Sequence, residues 1–490
     1  MHQRRYFTLA SLCATLGVVA LPIAGEQAAA YEIVNRWSAT QVDGGGLQRG
    51  DPVTLRWSIV PDGESYSRSS NSQLVQYLDD GWNIPAAQRT PDYTNRSWWT
   101  VMNTAYAQFA RVSGIRMEYV AEKFANGVDT GLAGDIQIGG ENIDSTPGGA
   151  LADNTFPDSG DMRIDTTRET NGQPTFWHST EAALRNLMIH ETGHGVGLGH
   201  AQNTGVAAVM EGGLRTDIWG LQFDDVYALN RQYGDPLERN GGNDIASKAS
   251  PLGSFTTGQS ISRGRDAVDS TVNQFDSDWL GIDGTSDADW FRFTTVGTGF
   301  ANIKLTPIGP SYVSVQQGNF NAAAQSDLTL QLLTANPTVS EIKRANNTGI
   351  GGVESIGAMF LSTPGDYLIR IRGNQDANQF YQLDVSFTEA PATGTSVDLN
   401  LDGVTSRADW ELFLTYSYTN FPGLGQRDAF GRGDLDFDGD NDVADFRLFK
   451  SIFNSVNGAG AFENLLRVPE PSSLLLAGAF IGVAASRKRR

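Results

Sequence analysis

The histidines come first, because three of the chain's five lie between His190 and His200 in the stretch HETGHGVGLGH. The residues before it, HSTEAALRNLMI, predict a helix: Ser179 or Thr180 can cap it, Glu181 suits its positive end, and Leu184, Leu187, Met188 and Ile189 form an apolar stripe. On that helix His190 and His194 stand about one turn apart, so both imidazoles leave one face within reach of a single ion. Glu191 adjoins the first of them and is placed to hold a water on the ion rather than the ion itself. Gly197 can take the left-handed conformation that stops the helix and turns the chain, and His200 then supplies a third nitrogen from the loop. Three neutral nitrogens at about 2.1 Å leave the fourth zinc position open to water, as catalysis requires. Zinc lowers the pKa of that water toward roughly 7 and polarises a carbonyl, with Glu191 as general base and then proton shuttle. The competing reading is a solvated, histidine-rich helix end without metal. Gly193 and Gly195 each weaken such a helix by up to about 1 kcal/mol relative to alanine.

A second chemistry appears twice near the other end. DLNLDGVTSRADW begins at Asp398 and DLDFDGDNDVADF at Asp434, each with oxygen side chains at loop positions 1, 3, 5, 9 and 12 and glycine at 6. That is the oxygen cage of an EF-hand-type loop around a hard cation. The first loop offers Asp398, Asn400, Asp402, Ser406 and Asp409, and the second Asp434, Asp436, Asp438, Asp442 and Asp445. Val404 and Asp440 would contribute backbone carbonyls alone. Each loop runs into an apolar-periodic helix, WELFLTY and FRLFKSIF, so one calcium ion per loop is expected. The alternative is a pair of acidic surface turns without metal.

These sites need scaffolds to hold them. A chain of 490 residues with 40% hydrophobic and 10% aromatic content can bury several cores. A formal charge of -20 argues against a nucleic-acid partner and suits solubility or hard cations. Residues 1–30 carry Arg4 and Arg5, an apolar stretch from Phe7 to Ile23, and small residues at Ala28 and Ala30, the layout of a secretory signal peptide cleaved after Ala30. Cys13 lies in that stretch, so the mature chain would contain neither cysteine nor disulfide. At the far end Pro469, Glu470 and Pro471 precede an apolar run from Leu474 to Ala485 and the basic cluster Arg487 to Arg490. The run is shorter than the roughly 20 residues that span a bilayer comfortably, so brief retention at an envelope membrane is expected.

Between the ends the pattern is multidomain. Residues 31–236 mix strand-like alternation with helical stretches, an α/β (α+β) pattern. Residues 237–253 are polar and Gly/Pro-punctuated and read as a linker. Residues 254–388 show short alternating runs between turns, the spacing of a β-sandwich. A second linker, 389–397, leads to a small α-helical calcium-loop domain at 398–455, and residues 468–490 form the tail.

HETGHGVGLGH matches HExxHxxGxxH residue by residue, and through it the chain resembles the metzincin zinc peptidases and, within them, the matrixins. The resemblance implies His190, His194 and His200 as zinc ligands and Glu191 as the catalytic residue. It also implies Met210 of AAVMEGG as the methionine beneath the zinc, and Leu221 to Gly234 as the family's C-terminal helix, with Asp224 and Asp225 at its start. VTLRWSIV (53–60) would be the first strand, SWWTVMNTAYAQFARVSGIRMEYV (97–120) a helix running into a strand, and GDIQIGG (134–140) the edge strand on which matrixins align peptides by β-addition. Two departures stand out. Asp153 and Arg163 lie near the positions where matrixins carry histidines for a structural zinc, so a single catalytic zinc is expected, with calcium on carboxylates such as Asp165 as the alternative. His178 reads as a surface or helix-start residue, and no mature cysteine remains to act as a cysteine switch.

The other blocks carry resemblances of their own. NDIASKASPLG, DADWFRF, SDLTLQLL and PGDYLIRIRG resemble the bacterial pre-peptidase C-terminal domain, which accompanies secreted peptidases; an inert β-spacer is the other reading. The repeats resemble a dockerin, implying two calcium ions and a cohesin-like partner, although Arg407 with Ala408 and Val443 with Ala444 stand where many cellulosomal dockerins use Ser and Thr. The tail resembles the PEP-CTERM sorting signal, implying export from a Gram-negative-type cell and exosortase processing. Together these features describe an exported, surface-associated zinc endopeptidase that hydrolyses polypeptide with Glu191 assisting a zinc-bound water, and that carries a calcium-dependent interaction module. The alternative is a non-catalytic, calcium-dependent adhesion or scaffold protein whose protease-like domain only binds polypeptide.

Overall fold

The computed structural model describes residues 31–466 except 67, 69–70, 123, 126–127, 130–133, 176–179, 202, 205, 315–317, 362, 389–395, 401–403 and 425. The segment 1–30 with Cys13, the tail 468–490, most of the second predicted linker, and His178, Ser179 and Asp402 lie outside the described residues.

The first unit is built on a five-stranded sheet. VTLRWSI forms β1 (Val53–Ile59), followed by β2 (Ile115–Tyr119), β3 (Ile136–Glu141), β4 (Ala152–Asn154) and β5 (Met162–Asp165), in the order β2-β1-β3-β5-β4. All pairs are parallel except β4 with β5. The segment GDIQIGG, expected at the edge, is therefore interior, and the two edges are β2 and β4. Three residues are too few to show an alternation, which is why β4 escapes a reading by periodicity.

Four helices accompany the sheet: α1 (Leu74–Gly81), α2 (Ser97–Val112), α3 (Glu181–Gly195) and α4 (Phe223–Tyr233). Along α2, Trp98, Val101, Met102, Ala105, Phe109 and Val112 recur at helical spacing, and all are buried. Its start is held by the buried Asp79 carboxylate, which accepts from Arg96 Nε and Trp98 Nε1 at 2.8 Å each. The end of α4 meets the start of β2 so closely that a Cβ on Gly114 would lie 1.9 Å from the Tyr233 carbonyl oxygen. Only glycine allows that approach.

The second unit is a β-sandwich. One sheet has the order β7-β9-β16-β13-β14 (Ser250–Phe255, Ala288–Thr295, Gly365–Gly373, Leu328–Thr334, Ser340–Ala345). The other has the order β8-β17-β10-β15 (Gln259–Arg263, Gln379–Thr388, Gly299–Pro307, Glu354–Leu361). Strands β6 (Asn203–Thr204), β11 (Ser311–Ser314) and β12 (Gly318–Asn321) form a separate three-stranded sheet in the order β6-β11-β12. A third unit carries the repeats, with α5 (Arg407–Thr415) and α6 (Val443–Asn457) around a small core that includes Trp410, Phe413, Phe449 and Phe462.

The stretch 237–253, expected as a linker, is part of the fold. Strand β7 begins at Ser250, Glu238 and Asn243 are buried, and the Asn243 carbonyl accepts from Trp290 N at 2.9 Å. Its polar, glycine-rich composition reads as a linker because the buried polar groups Glu238 and Asn243 stand where apolar residues would normally signal structure. Likewise Val397, at the end of the second expected linker, is fully buried in the third core.

The first two units share a core. Val272, Trp279, Ile308, Tyr312, Phe320 and Phe380 from the sandwich belong to the same apolar cluster as the residues of α2, α3 and α4. Phe223 and Tyr227 of α4 both pack against Phe380, at ring-centroid distances of 5.7 and 5.6 Å. At the junction Asp235, Glu238, Asp283, Asp287 and Asp289 are all at most 7% exposed. Burial pushes Asp235 up to about 7, Asp283 to about 6 and Glu238 to about 11, with neighbouring carboxylates adding to the rise.

Two outcomes follow for stability. A fragment ending at residue 236 strips the aromatic cover from Phe223 and Tyr227, a loss of more than about 3 kcal/mol at 1.5–3 kcal/mol per uncovered large side chain. It is expected to lose its cooperative calorimetric transition, whereas the full chain keeps one that spans both units. Asp235 and Asp283 have folded-state pKa values above their unfolded ones, so their contribution is present below about pH 4 and lost as pH rises through 6 to 7. In EDTA, the melting temperature should be higher at pH 5 than at pH 8.

Candidate metal centre

Helix α3 is buried on nearly every side, so its polar residues must find partners inside the protein. His190 Nδ1 lies 2.7 Å from the Val209 carbonyl oxygen, and His194 Nδ1 lies 2.8 Å from that of Leu198. A carbonyl only accepts, so each ring carries its proton on Nδ1 and presents a bare lone pair at Nε2. The helix ends at the next turn. Gly197 has φ of +96°, Leu198 N bonds back to the Gly193 carbonyl at 2.8 Å, and the chain returns with His200. A Cβ on Gly197 would sit 1.8 Å from the Asn35 carbonyl oxygen, so both conformation and space demand glycine there.

The three Nε2 atoms converge. Those of His194 and His200 are 3.2 Å apart, and those of His200 and His190 are 3.3 Å apart. Tetrahedral bonds of about 2.1 Å would put the nitrogens about 3.4 Å apart, so the donor set fits a zinc-like cation. Burial pushes His190 down to about 4 and lowers His194 too, which favours the neutral rings a metal requires.

Glu191 is buried and lines the same cleft, an opening of about 710 Å³ that also takes in all three histidines and residues 151–154 of the β4 segment. Burial, with a smaller contribution from the Asp153 charge, pushes its carboxyl up to about 8. The free edge of β4 borders this cleft.

Met210 packs against α3 at Gly193, and the glycines of that helix acquire roles that composition alone did not suggest. A Cβ on Gly193 would meet Met210 Sδ at 2.2 Å, so the missing side chain admits the sulfur against the helix. At Gly195 a Cβ would be 3.0 Å from the Asn154 side chain, and its carbonyl accepts from Trp37 Nε1 at 2.7 Å. Both glycines are close-packing positions, not points of looseness.

A residue that sequence reasoning placed only at a helix start proves central. The Asp225 carboxylate accepts from Val209 N at 2.8 Å, Met210 N at 3.2 Å and Gln222 N at 2.8 Å. It ties the methionine turn to the first turn of α4, and Val209 in turn orients His190. Burial pushes Asp225 up to about 7 against the pull of those N–H groups. The capping box it forms with Gln222 was the available signal.

Asp153 and Arg163, at the positions lacking histidine, pair with each other. Arg163 also bonds Glu141 at 2.6 Å, and Arg68 joins Asp153 from the other side. Charged pairs thus bind β3, β4 and β5 together. Asp165 is fully buried and accepts from Ile143 N and the Thr167 hydroxyl.

In the second repeat, single carboxylate oxygens of Asp434, Asp436 and Asp445 come within 4.8 Å of one another, as do those of Asp440, Asp442 and Asp445. Asp440, expected to offer only its backbone, thus brings its side chain to the group, whereas Asp438 belongs to neither trio. Asp445 accepts from Leu435 N and Asp442 N, and Asp409 accepts correspondingly from Leu399 N and Ser406 N, so the two repeats share one internal geometry. Ser406 and Asp442 cap α5 and α6. Of the first repeat's three expected carboxylates, Asp398 and Asp409 are among the described residues and Asp402 lies outside them. A further trio, Glu238, Asp244 and Asp287, lies at the sandwich junction and was not anticipated.

Residues 81–234 match the family model described as matrixin, and residues 467–490 match the PEP-CTERM protein-sorting motif. Among curated proteins nothing matches. Among solved structures, the pre-peptidase C-terminal domain of collagenase from Bacillus anthracis matches at 13% identity and TM-score 0.18, over 28% of this chain and 94% of that one. The carbohydrate-binding module CBM36 in complex with calcium and xylotriose matches at 10% identity and TM-score 0.17, over 26% and 99%. Likenesses this distant carry no functional assignment. The chain therefore carries a matrixin domain within its first unit and a PEP-CTERM sorting motif at its end.

Proposed function

We propose that the protein is an exported zinc-dependent endopeptidase that cleaves polypeptide at the cell envelope. The observation that carries this reading is the convergence of three imidazole nitrogens beside the buried Glu191 carboxylate, in a cleft bordered by an open strand edge. The matrixin domain supports it, and the sorting motif supports export and exosortase processing. No helix among the described residues is long and apolar enough to cross a membrane.

His190, His194 and His200 would hold the zinc, which when bound supplies a Lewis acid that polarises the scissile carbonyl and acidifies the attacking water. Strand β4 aligns the substrate main chain through its free N–H and C=O groups. Glu191 takes the proton from the water as it attacks the carbonyl carbon, then returns it to the leaving amine as the C–N bond breaks. Gly193 and Met210 keep the floor beneath the ligands compact.

The cleft has a charge preference. Glu32 lines it, exposed, beside Gly199, and among the described residues no arginine or lysine lines it. Peptides with a cationic side chain near the scissile bond are therefore favoured. At the C-terminal end, Asp434, Asp436, Asp438, Asp442 and Asp445, with the corresponding Asp398, Asn400, Asp402, Ser406 and Asp409, would hold calcium and present α5 and α6 to a cohesin-like partner.

The full chain should cleave casein, and Glu191→Ala should lower cleavage by about 10²–10⁴-fold while zinc content by mass spectrometry stays at one per chain. Equal activity in the variant would remove Glu191 from the mechanism; a zinc-loaded but inactive wild type would favour a scaffold that only binds polypeptide. Glu32→Gln is expected to erase the preference for Lys and Arg in a peptide-library cleavage profile, leaving neutral peptides cut at the original rate. Chelation should expose the region 398–466 to limited proteolysis, and added calcium should restore protection.

A further inference from the structure

The segment between His200 and Met210 is held from two directions. From its own unit, Ala201 N bonds the Met210 carbonyl at 2.9 Å, and Asp225 binds Val209 N and Met210 N. From the sandwich, β11 pairs antiparallel with β6, Asn203 opposite Ser314 and Thr204 opposite Val313, with β12 completing the three-stranded sheet. The loop that carries the third histidine is thus a strand in a sheet whose other two strands belong to the next domain.

The same hairpin reaches α4. The Tyr312 hydroxyl donates to the Asp224 carboxylate, with both residues buried at 6% and 1% exposure. Its ring packs edge-on against Phe223 at 6.3 Å. Asp224 precedes Asp225, so Tyr312 fixes the turn from which Asp225 clamps the methionine turn. A connected series of bonds therefore runs from Tyr312 through Asp224 and Asp225 to Val209, and from Val209 to His190. Gln222, in the same turn, adds a reciprocal pair, with its side chain donating to the Val272 carbonyl at 3.2 Å and accepting from Val272 N at 3.3 Å.

We propose that the β-sandwich is a positioning element of the metal centre: the β11–β12 hairpin and Tyr312 hold the 201–210 segment and the first turn of α4, and through them His200 and His190. Neither a spacer nor a substrate-recruiting module would need these contacts. Tyr312 is a positioning residue, since it touches neither ligand nor cleft. The inference rests on the reading of the three histidines as a zinc site.

The test uses the full chain, with zinc affinity measured by competition with a chromophoric chelator. Tyr312→Phe keeps the ring and removes the hydroxyl. Tyr381→Phe is the control, because it removes a hydroxyl equally buried in the sandwich and bonded to Asp289, a residue of neither the 201–210 segment nor α4. Val313→Pro, at a 44% exposed position, interrupts the strand pairing without emptying the core. Tyr312→Phe and Val313→Pro are expected to weaken zinc binding by about 10-fold and to lower kcat with KM unchanged, the scale of lost second-layer support at metal sites. Tyr381→Phe should leave zinc affinity unchanged. Wild-type zinc affinity in a folded Tyr312→Phe would overturn the proposal, and if Val313→Pro fails to fold, Tyr312→Phe decides alone. Absence of zinc binding by the wild type would overturn the metal reading beneath it; intact wild-type binding with indifferent variants would overturn this inference alone.

Discussion

The carbonyls of Leu198 and Val209 each take the Nδ1 proton of a histidine, and that leaves the Nε2 atoms of His194 and His190 with lone pairs and nothing to donate. Lone pairs about 3 Å apart in a partly buried cleft repel unless a cation lies between them. The convergence of bare donor nitrogens follows from these two bonds, and much of the surrounding structure serves to keep the two carbonyls in place. Leu198 is set by the Gly197 turn. Val209 is set by Asp225, a buried carboxylate whose three N–H bonds join the methionine turn to α4.

Such an arrangement is sensitive to small displacements, which accounts for the close packing around it. Glycine at 193 and 197 lets Met210 and the Asn35 backbone approach to distances that a Cβ would forbid, and at 195 a Cβ would crowd the Asn154 side chain at 3.0 Å. The arriving N-terminal segment adds its own bonds, with Val34 N to the Gly197 carbonyl and Gly199 N to the Glu32 carbonyl, both at 2.8 Å. Charge pairing at Asp153 and Arg163 performs for the strands near the cleft a task that a bound ion could perform elsewhere, without a second set of histidines. The sandwich then closes the arrangement from outside by sharing a core with α4.

The parts legible in the sequence were those with local, periodic or covalent signatures. His190, His194 and His200 are spaced by the helix and its stop, so their meeting could be read from residue types alone. Strand β1, helices α2 and α4, and the two repeat helices announce themselves by burial period. What stayed hidden were contacts between residues distant in the chain. Nothing local in Tyr312 points to Asp224, and nothing in Asn203 points to Ser314. The edge position of β4 depends on the order in which strands assemble, and its three residues carry no alternation. The stretch 237–253 reads as a linker because its buried groups are Glu238 and Asn243, whose burial depends on partners supplied by the sandwich.

The central claim is that three imidazoles present their Nε2 atoms to one cation. Diffraction from a crystal of the zinc-loaded full chain, recorded on both sides of the zinc absorption edge, tests it most directly. The account predicts one strong anomalous peak about 2.1 Å from Nε2 of His190, His194 and His200, with Glu191 outside bonding distance. A peak bound through Nδ1, or the absence of any peak among these three residues, would contradict it.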